Sequence, residues 1–79
     1  MSQIAVTAEH IDQGKLGDPS KCPVALALRE HFPDATISVL CDDMWIGEWT
    51  GTTPSEVAAF IDAFDHSLFV EPFEFELPF

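Results

Sequence analysis

The sequence predicts an α+β protein in which a four-stranded, mostly antiparallel sheet is covered on one face by helices. Three observations lead to this prediction. Apolar and polar residues alternate in several short segments, other segments place apolar residues at helical spacing, and the two kinds of segment are interleaved. The chain has 79 residues, of which 47% are hydrophobic, and this is enough apolar material for one folded unit. We therefore expect residues 1–79 to form a single compact domain.

The N-terminal segment predicts a strand followed by a short helix. Ile4 and Val6 alternate with polar or small residues, which is typical of a strand with one buried face. Thr7 can cap a helix over residues 8–13, and Gly14 is a suitable residue for the end of that helix. We expect the first strand and this helix to follow each other directly.

A second helix is predicted after the loop of residues 14–21. It begins at about Pro19 or Cys22 and runs to His31, because Pro33 prevents the helix from continuing. Apolar residues four positions apart form the face expected to be buried. They are Val24, Leu28 and Phe32.

A strand and a tight turn are predicted in the middle of the chain. Residues 35–41 alternate between apolar and polar side chains, so one side of this strand should face the core. Asp42 and Asp43 follow as a tight acidic turn. The residues expected to face the core are Ile37, Val39 and Cys41.

The strand returning from this turn is predicted over residues 44–49. Trp45 and Trp49 are four positions apart and therefore share one side of it. If the other side faces the helices, both rings lie on the uncovered face of the sheet. We expect them there beside Glu74 and Glu76.

The third helix has the clearest start signal in the chain. Thr53 can accept a hydrogen bond from the backbone N–H of Glu56, whose side chain can return to the backbone of Thr53 as a capping box. Pro54 suits the first helical position, where no N–H is needed. Asp62 and Asp65 lie off the apolar stripe of this helix. The stripe is Val57, Phe60, Ile61 and Phe64.

The last strand is predicted over residues 70–79, with Glu74 and Glu76 on its exposed face. Pro72 indicates either an edge strand or a start at Phe73. The residues expected to face the core are Phe73, Phe75 and Leu77. Without the short first helix, the order is strand, helix, strand, strand, helix, strand. This is the split βαβ order, and it allows a ferredoxin-like arrangement.

The charge of the chain is strongly negative and unevenly distributed. Fourteen Asp and Glu outnumber three Lys and Arg, which gives a net charge of −11 at pH 7. Residues 1–34 hold all three bases and five acids, whereas residues 35–79 hold nine acids and no base. Binding to DNA, RNA or anionic lipid relies on Lys and Arg, so direct nucleic-acid and membrane binding are excluded as predictions. The expected partner is a basic protein or complex.

Acidic and aromatic side chains form the predicted partner-binding site. Glu74 and Glu76 project from one face of a strand ~6.6–6.8 Å apart, which is twice the ~3.4 Å interval between phosphates along one DNA strand. Carboxylates at this spacing can imitate alternate phosphates. Trp45 and Trp49 are expected to act as apolar anchors. The predicted site is Asp42, Asp43, Glu48, Glu71, Glu74, Glu76, Trp45 and Trp49.

Two alternatives for this site stay open. The acidic residues can form a solvated face without a partner, which is common for runs of like charge. The tryptophans can instead cover a small second core or form a homodimer contact, so a homo-oligomeric structural protein is the alternative function.

Catalysis is not predicted, because the chain contains no catalytic triad motif and no glycine-rich phosphate loop. We therefore expect no enzyme activity, no catalytic residue and no cofactor. Cys22 near a helix N-terminus could have a lowered thiol pKa and act as a nucleophile. The alternative is that Cys22, like Cys41, is a small core residue.

A metal site is also not predicted. His10, His31 and His66 are widely and irregularly spaced, which matches no zinc pattern. His31 and His66 fall at predicted helix C-termini, where an imidazole suits the helix dipole. A thiol or metal-dependent activity through Cys22 is the remaining alternative.

Signals for export are absent from the sequence pattern. The N-terminus has no basic segment followed by an apolar run, and no apolar run approaches the ~20 residues of a membrane span. The two cysteines show no Cys-x-x-Cys spacing, which agrees with a reducing compartment. We expect a cytoplasmic protein.

Residues 22–28 and residues 58–65, with the segment 70–75 that follows, resemble small acidic proteins encoded by bacteriophages and prophages. The size and charge of the chain are similar to those of acidic phage anti-CRISPR proteins. That resemblance implies an inhibitor that occupies the DNA-binding surface of a host CRISPR surveillance complex, in the bacterial cytoplasm. It implies DNA mimicry by the acidic face.

Overall fold

The elements of the fold are taken from a computed structural model, which describes residues 2–78. It contains five strands and three helices within those residues. In chain order they are β1 (Ser2–Val6), α1 (Ala8–Gln13), α2 (Pro23–His31), β2 (Ile37–Val39), β3 (Asp43–Ile46), β4 (Trp49–Thr52), α3 (Ser55–Asp65) and β5 (Phe73–Leu77). The last strand therefore starts at Phe73, after Pro72, and ends at Leu77, so the predicted range of 70–79 is too long; residue 79 itself lies outside the described residues.

The strands form two antiparallel sheets, so the prediction of α+β architecture is confirmed and that of one four-stranded sheet is wrong. β1 pairs with β5, and β2, β3 and β4 form a three-stranded sheet in that order. The extra strand arises at Gly47, whose φ of +61° lies in the left-handed region that glycine adopts without strain. Gly47 and Glu48 turn the chain, so residues 44–49 are not one strand.

The edge of β2 shows why the two sheets stay separate. The backbone N–H of Val39 donates to the carbonyl of Pro19 at 2.8 Å. A loop residue thus occupies a position where a further strand would pair. α2 packs against both β1 and β2 and so bridges the two sheets.

α1 begins and ends as the sequence predicts. The Thr7 hydroxyl accepts from the backbone N–H of His10 at 3.3 Å, and the His10 Nδ1 accepts from the backbone N–H of Thr7 at 3.0 Å. The buried His10 ring thus has the role that Glu or Gln has in a capping box. Its Nε2 then carries the hydrogen and donates to Glu30 Oε1 at 3.0 Å, which joins α1 to α2.

The junction of α1 and α2 requires a glycine. Gly14 caps α1, and a Cβ at this position would lie 2.5 Å from Cδ of Pro23. Pro23 is the first residue of α2, and Cys22 is its N-cap. Of the two predicted starts, Pro19 and Cys22, the structure thus agrees with Cys22. α2 ends at His31, as predicted.

The predicted capping box of α3 is wrong. The N-cap of α3 is Pro54, which makes no side-chain capping bond. Thr53 is buried, and its hydroxyl donates to the carbonyl of Leu40 at 2.7 Å. Its backbone N–H donates to the carbonyl of Asp42 at 3.0 Å. Thr53 therefore joins the end of β4 to the β2–β3 turn instead of capping α3.

The core lies between the two sheets and the helices. Val57, Phe60 and Ile61 on α3 are buried, as their spacing predicts. Phe60 lies 4.7 Å from Phe73 between ring centroids, which packs α3 against β5. The prediction that Cys41 faces the core is wrong, because β2 ends at Val39 and Cys41 is exposed in the turn. The other buried apolar residues are Ile4, Val6, Cys22, Val24, Ala25, Ala27, Leu28, Ile37, Val39, Met44, Ile46, Phe75 and Leu77.

Candidate partner-binding site

Glu74 and Glu76 lie on the outer face of β5, and we call them the carboxylate pair. Both are exposed, whereas Phe75 and Leu77 between and beyond them are only 3% and 1% exposed. The alternation along this strand is therefore as predicted. Strand geometry sets the interval between the two residues at ~6.6–6.8 Å.

The neighbours of the carboxylate pair on β1 carry no charge. Glu74 pairs with Ala5 and Glu76 pairs with Gln3 across the two strands. The side-chain Nε2 of Gln3 donates to Glu74 Oε1 at 2.6 Å, which orients this carboxylate without neutralising it. Within residues 2–78, both ion pairs are formed by histidines and neither includes the carboxylate pair. The outer face of this sheet thus carries two carboxylates that form no ion pair with the part of the chain that the structure describes.

Asp43 and Trp45 lie together on the outer face of the three-stranded sheet. Asp43 pairs with Thr52, and Trp45 pairs with Thr50 on β4. These four residues are exposed, whereas Met44 and Ile46 on the other side of β3 are buried. An aromatic ring that is 37% exposed beside a carboxylate is suited to contact a partner protein.

Trp49 does not share a face with Trp45, so that prediction is wrong. Trp49 is the first residue of β4 and pairs with Ile46, whose side chain is buried. Its ring is partly buried against the core and covers Gly51, where a Cβ would lie 2.4 Å from Cη2 of Trp49. The turn at Gly47 reverses the chain between the two tryptophans, which places them on opposite faces.

The remaining predicted residues are exposed but scattered. Asp42 and Glu48 lie in the turns at the two ends of β3. Glu71 lies in the segment that precedes β5. The structure therefore groups Glu74 with Glu76, and Asp43 with Trp45, on two different sheets rather than on one uncovered sheet face.

The two cysteines line one cavity of about 90 Å³ with Asp18 and Asp65. Cys22 is 3% exposed, its Sγ accepts from the backbone N–H of Ala25 at 3.4 Å, and burial raises its thiol pKa. Desolvation and the Asp65 charge also raise the pKa of Cys41. Both thiols are thus poor thiolates, which does not favour nucleophilic chemistry. Within residues 2–78, no group of three or more His, Cys, Asp or Glu is arranged to hold a metal ion.

A further surface feature is an apolar groove of about 460 Å³ between the ends of α1 and α3, which we call the apolar groove. Sequence reasoning missed it. The available signal is the run of three apolar residues at positions 68–70, between the end of α3 and the alternating part of β5. The lining residues are Ile11, Gly14, Leu16, Phe64, Ser67, Leu68, Phe69 and Val70.

Comparison with known proteins gives no match for this chain: no family model, no curated protein and no solved structure is significantly similar to it. The resemblance to small acidic phage proteins therefore stays a prediction from the sequence. Among residues 2–78, no helix has the length and apolar character needed to cross a bilayer.

Proposed function

We propose that the protein is a non-enzymatic inhibitor of the anti-CRISPR type, acting in the cytoplasm of a host bacterium. Its acidic surface would bind the basic DNA-binding groove of a CRISPR surveillance complex and thereby prevent the binding of target DNA. The observation that carries this proposal is the carboxylate pair, whose two charges are exposed on one strand face with no cationic partner among residues 2–78.

The chemistry of the pair suits a groove built for a phosphate backbone. Such a groove presents Lys and Arg at intervals that match phosphates, and Glu74 and Glu76 offer anionic oxygens at about every second interval of ~3.4 Å. Arg in particular binds carboxylate and phosphate in the same forked geometry. Asp43 and Trp45 supply a second contact region with one charge and one aromatic anchor. Surface charges of this kind mainly increase the rate of association and its specificity.

The test is competition with target DNA for a panel of purified CRISPR surveillance complexes, measured by electrophoretic mobility shift. We expect the protein to displace DNA from at least one complex. Removal of both charges in the double variant Glu74→Gln and Glu76→Gln should raise the protein concentration that displaces half of the DNA at least about tenfold. The matched control, Asp34→Asn with Glu56→Gln, removes the same charge from exposed positions elsewhere.

Two results would overturn the proposal. One is that no complex in the panel loses DNA. The other is that the carboxylate-pair variant, shown to be folded by circular dichroism, inhibits as well as the unmodified protein. Inhibition should also weaken as the salt concentration rises, because salt ions screen charge pairs at an exposed surface.

Self-association is a second candidate function, and the exposed Trp45 on the outer face of the three-stranded sheet favours it. Two copies that each carry a net charge of −11 repel one another. Self-association should therefore strengthen as salt increases, which is opposite to the salt dependence of the inhibitor. Sedimentation velocity at several concentrations and two salt levels distinguishes the two candidates.

A further inference from the structure

The apolar groove contains the most exposed large apolar side chains within residues 2–78. Leu16 is 54% exposed, Leu68 is 62% exposed and Phe69 is 84% exposed. Single exposed apolar residues are common on protein surfaces, but three that border one concave surface are not. Such a surface indicates a binding site for apolar side chains.

The walls of the groove are held in place by specific contacts. The Leu68 N–H donates to the carbonyl of Ala63 at 2.9 Å, and the Ser67 N–H donates to that of Phe64 at 3.0 Å. This is the Schellman pattern, with Ser67 in the left-handed region at a φ of +58°. It sets the direction in which residues 68–70 leave α3.

The floor and the opposite wall of the groove are also fixed. The Phe64 ring stacks on that of Phe60 at 6.3 Å between centroids, and Phe60 is part of the core. On the other side, the backbone N–H of Gly17 donates to Asp65 Oδ1 at 3.0 Å, which ties the loop that carries Leu16 to the end of α3. The groove is therefore a formed feature of the fold.

The charges beside the groove are mainly negative. Exposed carboxylates adjoin three lining residues in the sequence, because Asp12 follows Ile11, Asp65 follows Phe64 and Glu71 follows Val70. Of these, Asp65 also accepts the hydrogen bond from Gly17. The basic side chains that adjoin lining residues in the sequence are Lys15 and His66. Hydrogen bonding to the Asp62 carbonyl, and the charge of the Asp62 carboxylate, raise the pKa of His66. The acidic edge is thus only partly balanced.

We propose that the apolar groove binds a segment of a basic protein in which apolar side chains are flanked by Lys or Arg. Apolar side chains would fill the groove while the flanking cations meet the carboxylates at its edge. A second copy of this chain fits less well, because each copy brings a net charge of −11. An anionic lipid surface is repelled for the same reason.

The apolar groove is separate from the proposed inhibitor surface, because the groove and the carboxylate pair are built from different residues. The groove lies at the ends of α1 and α3, whereas the pair lies on β5. Each site can therefore be removed without changing the other.

The probe for the groove is a synthetic amphipathic peptide of Leu and Lys, titrated into ¹⁵N-labelled protein and followed by NMR. We expect shifts centred on residues 64–70 and on Ile11. A Leu and Glu peptide and a Ser and Lys peptide of the same pattern should bind about tenfold more weakly or worse. Equal binding of either control peptide would overturn the proposal, because it would show that charge or apolar character alone is sufficient.

Binding measurements on variants test whether the peptide occupies the apolar groove. Phe69→Ser should weaken binding of the Leu and Lys peptide at least about tenfold, and Leu68→Ser provides a second variant if the first does not fold. Leu40→Ser is the matched control, because Leu40 is 45% exposed outside the groove. The double variant Glu74→Gln and Glu76→Gln should still bind the peptide, and loss of binding there would overturn the groove assignment. A dimer of the unmodified protein that Phe69→Ser dissociates would show that a second copy fills the groove, which also overturns it.

Discussion

Replacing Thr53 by valine removes one hydrogen bond and nearly keeps the shape of the side chain. Thr53 is 5% exposed, and its hydroxyl donates to the Leu40 carbonyl at 2.7 Å. Valine cannot donate, so the carbonyl loses this partner in a partly buried place. A neutral hydrogen bond contributes ~0.5–1.5 kcal/mol net, and leaving a buried polar group unsatisfied costs ~1–3 kcal/mol. We therefore expect Thr53→Val to lower the free energy of unfolding by about 1–2 kcal/mol.

Urea denaturation measures the size of this loss, and hydrogen exchange shows where it occurs. The backbone amide of residue 53, which donates to the Asp42 carbonyl, should exchange faster in the variant than in the unmodified protein. The Ala58 amide, which donates to Pro54 in the first turn of α3, should not. Faster exchange at Ala58 with an unchanged Thr53 amide would refute the reasoning, since that is the result expected for a lost helix cap. Thr52→Val is the matched control, because the neighbouring Thr52 is exposed at the end of β4 and should change stability by less than ~0.5 kcal/mol.

Two further predictions concern the packing of α2. Gly14→Ala should lower the free energy of unfolding in urea by about 1–3 kcal/mol, because the new Cβ would lie 2.5 Å from Pro23 Cδ. Unchanged stability would contradict this close approach of α1 and α2. Cys41 should react with Ellman's reagent in the native protein on the order of a thousandfold faster than Cys22, which is exposed by unfolding. Equal rates would contradict the burial of Cys22. In the control variant Cys41→Ser, only the slow reaction of Cys22 should remain.

The elements that the sequence predicts well depend on contacts between near neighbours in the chain. Thr7 caps α1 through a residue three positions away, and α2 ends at His31 just before a proline. The alternation of Glu74 and Glu76 with buried residues is likewise local to β5. Such signals need no knowledge of the rest of the fold.

The predictions that fail depend either on a partner distant in the sequence or on a turn that the local sequence leaves undecided. The hydroxyl of Thr53 could cap a helix or bind a distant carbonyl, and only the folded chain brings Leu40 within 2.7 Å. Gly47 allows either a strand or a turn, and pairing of Ile46 with Trp49 decides for the turn. Trp49 therefore lies on the inner face, and Trp45 is the one predicted anchor that lies on the outer face.

The candidate sites divide in the same way. The spacing and exposure of the carboxylate pair could be derived from the sequence, because a strand places alternate residues on one face whatever it pairs with. The apolar groove could not, because its two walls come from residues 11–16 and residues 64–70. No periodicity relates segments so far apart.

The sequence by itself determined the α+β composition, the local starts and ends of most elements and the concentration of negative charge after residue 34. Only the tertiary structure decided that the strands form two sheets, that Trp45 and Trp49 face opposite ways and that an apolar groove forms between α1 and α3. The physical reason is the range of the interactions. Caps and alternation depend on residues a few positions apart, whereas sheet edges and grooves depend on which distant backbone and side-chain groups meet.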